Sequence, residues 1–175
     1  MTSGIKYIVI SLLSLLLFTN CREKKPMIEY FNFHNLSNKE KNEGFILNNK
    51  VIFDERNNSS TLFLCAKIRE KNCPEYLTLD IKFLNPDKEE KVEHISLPCN
   101  INKIKEYINK HPQEGLGIKK SITGYDLEWT YKYDFIPIKS GEWKISIKTS
   151  GNSPWLLGLG FSCIPTTENS SVVNK

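Results

Sequence analysis

Three acidic side chains, Asp126, Glu128 and Asp134, recur at even spacing in the run Tyr125 to Phe135. Two residues of strand rise place Asp126 and Glu128 on one side of an extended chain, about 7 Å apart. Paired carboxylates at that separation can serve as acid and base in glycoside hydrolysis. With further oxygens they can also bind calcium. The same alternation is what any half-exposed antiparallel strand requires, so these acids read first as a solvated outer face, with Lys132 among them. The three histidines, His34, His94 and His111, are scattered and do not suggest a joint site. Gly-x-Ser-x-Gly and His-Glu-x-x-His arrangements are absent. Gly158-Leu159-Gly160 lacks the third glycine of a dinucleotide fingerprint. Its glycines read instead as places where the strand bends or is closely approached by another backbone.

The elements that would position these residues are strands. Phe45–Phe53, Leu62–Ile68, Leu77–Phe83, Val92–Leu97, Tyr125–Phe135, Trp143–Ile147 and Trp155–Cys163 carry period-two hydrophobicity, with 118–122 and the patch Tyr30–Phe33 as weaker candidates. Turn chemistry at 57–60, 85–88, 139–142 and 150–152 separates them. Short strands at this spacing predict an all-β fold, an antiparallel β-sandwich of immunoglobulin-like or jelly-roll-like type, over 45–165. One short helix is expected after Asn100, which is suited to N-cap it, with Ile101, Ile104 and Ile108 on one face. Trp129, Trp143 and Trp155, with Tyr125, Tyr131 and Tyr133, share strand parity with Leu127, Ile145 and Leu157. That predicts core rather than a sugar-stacking platform. Leu156 breaks the alternation, so Trp155 and Leu156 are expected to expose an apolar edge suited to an interaction.

The chain has 175 residues and a formal net charge of +4, with the charges mixed along it. No basic stripe suggests a nucleic-acid groove, and nucleic acid is excluded as a partner. The first residues hold Lys6, then an apolar run over 7–18 that is too short to span a bilayer comfortably, then Phe18-Thr19-Asn20-Cys21 and the charged stretch 22–25. This resembles a bacterial lipoprotein signal over residues 1–21, with Phe18 where the usual box has leucine and Asn20 where it has a small residue. The resemblance implies removal of residues 1–20 and a diacylglycerol on the sulfur of Cys21. The two or three acyl chains would attach the protein to a membrane without its crossing it. Residues 21–44 then read as a polar tether and 166–175 as a flexible tail. The resemblance further implies a bacterial envelope protein. Arg22, where an inner-membrane retention signal would have aspartate, favours the outer membrane.

Cys65, Cys73, Cys99 and Cys163 remain. An even number of cysteines in an exported chain predicts two disulfides. If 76–84 and 92–97 form a hairpin, Cys73 and Cys99 flank its open end and lie close. Cys65 would then pair with Cys163; Cys65–Cys73 with Cys99–Cys163 is the rival pattern. No Cys-x-x-Cys pair and no histidine at ligand spacing supports zinc, so neither a metal nor any other cofactor is expected. The functional expectation is a membrane-anchored envelope lipoprotein with a non-catalytic binding or structural role toward a protein or glycan. One alternative is a periplasmic inhibitor or immunity lipoprotein using a loop from His111 to Gly124. The other is a glycan-acting enzyme using Asp126 and Glu128.

Overall fold

The computed structural model describes residues 30–53, 59–111 and 115–166. Among these residues nine strands follow in chain order: β1 (Tyr30–Asn35), β2 (Ile46–Phe53), β3 (Ser60–Arg69), β4 (Tyr76–Leu84), β5 (Glu90–Pro98), β6 (Leu116–Lys120), β7 (Gly124–Phe135), β8 (Gly141–Thr149) and β9 (Leu156–Pro165). Two antiparallel sheets pack face to face, one in the order β1-β9-β3-β7-β6 and the other β2-β8-β4-β5. The all-β sandwich expected from the sequence is present. Setting β6 aside, the pairs β1–β9, β2–β8, β3–β7 and β4–β5 are nested inside one another along the chain. An antiparallel ribbon of nested pairs rolled over on itself is the jelly-roll arrangement, and β6 extends one sheet by a hairpin onto β7.

Alternation produces the core. In β2 buried and exposed residues alternate strictly, and Leu47, Val51 and Phe53 face inward. Leu77, Leu79, Ile81 and Phe83 do the same in β4. Trp129, Trp143 and Trp155 are all buried. Two of the indole N–H groups donate to backbone carbonyls, of Pro98 and Lys139, and so enter the core satisfied.

The two open sides of the sandwich are latched by polar groups. On one side the Asn32 amide of β1 donates to the Asn49 side-chain oxygen of β2 at 3.0 Å. Asn49 stands at an inward position and also donates to the carbonyl of Ile145 at 3.1 Å. On the other side Glu93 of β5 receives both Lys132 Nζ, at 2.9 Å to each oxygen, and the Tyr131 hydroxyl, at 2.6 Å.

Two helices occur among the described residues. α1 (Asn38–Glu43) opens with a capping box between Ser37 and Glu40. α2 (Ile101–Lys110) is capped by Asn100, as its sequence predicts, and buries Ile104. Residues 30–44, expected as part of a tether, thus contain β1 and α1, and Tyr30–Asn35 belong to the sandwich. Cys21, residues 1–20 and the tail over 167–175 lie outside the described residues.

Bulges correct the side-chain parity in three places. Leu62 faces Lys132 while Phe63 faces Thr130, so Tyr131 is an extra residue and Lys132 turns inward. A second extra residue follows before Ser60 meets Phe135, where Asp134 adopts φ 47°. Tyr133 between them is turned out and is 71% exposed, not core. In β9 the shift between Lys67 and Ile68 makes Leu157 the extra residue and returns Leu156 inward, opposite Ile68. Trp155 and Leu156 are therefore buried, which removes the apolar edge expected there. The exposed large apolar side chains lie elsewhere, among them Ile52, Ile136 and Ile138.

Candidate functional site

The outer face of the five-stranded sheet is organised in rungs, because cross-strand partners project to the same side. One rung runs Phe33, Gly160, Cys65, Glu128, Gly117 from β1 to β6. The next runs Asn35, Gly158, Lys67, Asp126, Lys119. A groove of about 530 Å³ lies over these rungs, with Phe31 and Ile118 also in its lining. Asp126 and Glu128, paired by their sequence spacing, do share this face and line the groove.

Glycine makes room for the aromatic wall. A Cβ at Gly158 would come within 2.6 Å of the Phe33 ring, and one at Gly160 within 2.6 Å of the same ring and 3.2 Å of Cys65 Cβ. The ring of Phe33 therefore lies across β9 in space that only glycine leaves. The close approach expected at Gly158-Leu159-Gly160 from another backbone is made instead by this aromatic side chain. Phe31, two residues earlier on the same face, is 59% exposed.

The polar half of the groove is built from β3, β6 and β7. Cys65 Sγ lies 3.7 Å from Glu128 Oε2. Burial, and then the neighbouring carboxylate, push the Cys65 thiol up to about 12, so it stays protonated at neutral pH. A protonated thiol is a weak nucleophile. Asp126 stands between Lys67 and Lys119 in its rung. Its Oδ1 is buried and accepts no hydrogen bond. Two carboxylates and two ammonium groups leave the groove formally neutral. Sequence reading missed Phe31, Phe33, Lys67 and Lys119 as site residues. The only signal for them was outward parity on strands whose adjacency was unknown.

The cysteines separate into two situations. Cys73 and Cys99 flank the open end of the β4–β5 hairpin, as the hairpin predicts, with Sγ atoms 3.4 Å apart and no bond between them. Hydrogen bonding with the Cys99 thiol holds Cys73 below the ordinary thiol range. The same contact, and then burial, push Cys99 up. Cys163 is opposite Leu62 and points into the core, whereas Cys65, three residues on, points out into the groove. Opposite faces of adjacent strands cannot be bridged, so the expected Cys65–Cys163 pairing is corrected.

The histidines stay apart. His34 stacks on Phe45 at 4.5 Å and contacts Glu40 at 3.0 Å. His94 meets Asp80 at 2.7 Å on the exposed face of β4–β5. His111 caps the end of α2. Among the described residues no group of three or more His, Cys, Asp or Glu is placed to hold a metal ion. The loop expected over 111–124 is in large part the edge strand β6, because Leu116 to Lys120 pair with β7; residues 112–114 lie outside the described residues. No helix among the described residues is long and apolar enough to cross a membrane. Comparisons with protein families, with curated proteins and with solved structures return no match, so the reading of this groove rests on its geometry.

Proposed function

We propose that this chain is a lipid-anchored protein of the bacterial envelope that binds a ligand in the groove on its five-stranded sheet and does not catalyse a reaction. The groove itself carries the binding role: an aromatic wall of Phe31 and Phe33 and a polar wall of carboxylates and ammonium groups form a recognition surface of ordinary ligand-site volume. The protonated Cys65 thiol favours binding over nucleophilic chemistry. The anchor rests on the lipoprotein-like residues ending at Cys21. The contact between Cys73 and Cys99 suits export to an oxidising compartment. There the Cys73 thiolate attacks the disulfide of a thiol oxidoreductase. Cys99 then displaces that carrier, and two protons and two electrons leave the pair as the carrier is reduced to its dithiol.

Two measurements test this reading. Intact mass and membrane fractionation of the chain in a bacterial host, beside Cys21→Ser, should show a diacylglycerol adduct that the variant loses. A soluble product cleaved elsewhere would overturn the anchor. Hydroxyl-radical footprinting with a host envelope extract should protect Phe31 and Phe33. Unchanged labelling at both would overturn the groove as the binding surface. Placement of Asp126 and Glu128 in one groove favours a second reading, glycoside hydrolysis. In that case Asp126→Asn and Glu128→Gln would each abolish release of reducing sugar from envelope glycan.

A further inference from the structure

The proposed binding role leaves the ligand unnamed, and the chemistry of the groove narrows it. One wall is apolar: Phe33 lies over Gly158 and Gly160, and Phe31 stands exposed beside it. The opposite wall alternates charge along the rungs, with Glu128 beside Cys65 and Asp126 between Lys67 and Lys119. The formal charges cancel, so the groove offers no net field to draw an anion or a cation. It presents strong acceptors and strong donors side by side, facing an aromatic surface.

A ligand that uses all of this must be uncharged where it sits. It needs one face of C–H groups for the aromatic rings and an edge of groups that both donate and accept hydrogen bonds. A pyranose ring has that pattern: C–H bonds on a face, hydroxyls around the rim. Each hydroxyl can donate to a carboxylate and accept from an ammonium group. Asp126 lines the groove between the two lysines, which places its side chain beside a ring lying over the Lys67–Asp126–Lys119 rung. The floor from β1 to β6 crosses five strands, about 19 Å at 4.8 Å per strand spacing, which suits a short chain of sugars better than one ring.

We propose that the groove binds a neutral segment of an oligosaccharide, stacked on Phe33 and Phe31 and hydrogen-bonded through Asp126, Glu128, Lys67 and Lys119. The proposal rests on the groove being the binding surface, and the experiment separates the two failures. The full chain is footprinted with a host envelope extract in three forms: untreated, digested with protease, and oxidised with periodate, which cleaves vicinal diols. Protection of Phe31 and Phe33 that survives protease and is lost on periodate treatment is the expected result. Protection lost to protease and kept after periodate would overturn the saccharide while leaving the groove as a binding surface. No protection by any extract would overturn both. A direct titration of the glycan fraction isolated from the extract completes the test. Phe33→Ala and Asp126→Ala should each weaken binding tenfold or more, while Ile138→Ser, remote from the groove, leaves it unchanged. Equal affinity in all three variants would overturn the assignment of these residues. Binding that persists only for charged fractions, and falls steeply with salt, would overturn the neutral ligand.

Discussion

Replacing Glu93 with glutamine should destabilise the sandwich at neutral pH and do nothing to it in acid. Glu93 spans the open side between β5 and β7, taking Lys132 on both oxygens, the Tyr131 hydroxyl on one, and Lys91 at 2.9 Å on the other. Burial alone would raise its pKa. The hydrogen bonds from Lys132, Tyr131 and Lys91 outweigh that and bring it from 4.5 to about 2. At 1.36 kcal/mol per pH unit this difference corresponds to about 3 kcal/mol favouring the folded ion. A fifth of the side chain still meets water, so screening reduces the figure to about 2 kcal/mol. Because the folded pKa lies below the unfolded one, the contribution is complete above about pH 4.5 and drains away as the pH falls toward 2. Urea denaturation followed by tryptophan fluorescence, run from pH 2 to pH 7 on both proteins, should show a gap of about 2 kcal/mol at pH 7 that closes in acid. Once Glu93 is protonated, its neutral carboxyl and the amide of the Glu93→Gln variant have nearly the same size and charge, which is why the curves should meet. A gap that is absent at pH 7, or that persists undiminished at pH 2, would refute the account of this ion pair as the latch.

Asn49→Ala should cost about 1–3 kcal/mol by urea denaturation, because the Ile145 carbonyl loses a donor and the Asn32 amide is left with its longer contact, 3.3 Å to the Asn48 carbonyl. Gly160→Ala should displace the Phe33 ring, which its Cβ would approach to 2.6 Å. The expected cost is about 1–3 kcal/mol, with increased radical labelling of Phe33. Oxidised protein should lose two titratable thiols to a bond between Cys73 and Cys99. Closing a 26-residue separation predicts about 3.5 kcal/mol of added stability over Cys73→Ser, measured without reductant. Cys65 should react only slowly with iodoacetamide at pH 8, since its thiol titrates near 12; rapid alkylation at that position would contradict the burial beside Glu128.

The sequence by itself determined the class of the fold, because alternation of apolar and polar residues has only one stable use in short segments: burial of one strand face. The β4–β5 hairpin, the cap at Asn100, the proximity of Cys73 to Cys99 and the shared face of Asp126 and Glu128 all follow from spacing along one or two neighbouring elements. Parity failed where the backbone inserts an extra residue. Tyr131 and Leu157 are bulge positions, and each reverses the faces of what lies beyond it, so Tyr133 went outward and Leu156 inward. Nothing in residue type marks those insertions, since they are set by the partner strand. The groove was hidden for a related reason. Its walls come from β1, β3, β6 and β7, with β9 beneath the Phe33 ring, and the order of these strands in the sheet arises from the nested pairing of a rolled ribbon. Phe33 and Gly160 are more than a hundred residues apart, and only that pairing lays one across the other. Local spacing decided which face each carboxylate would take; long-range strand order decided what that face would meet.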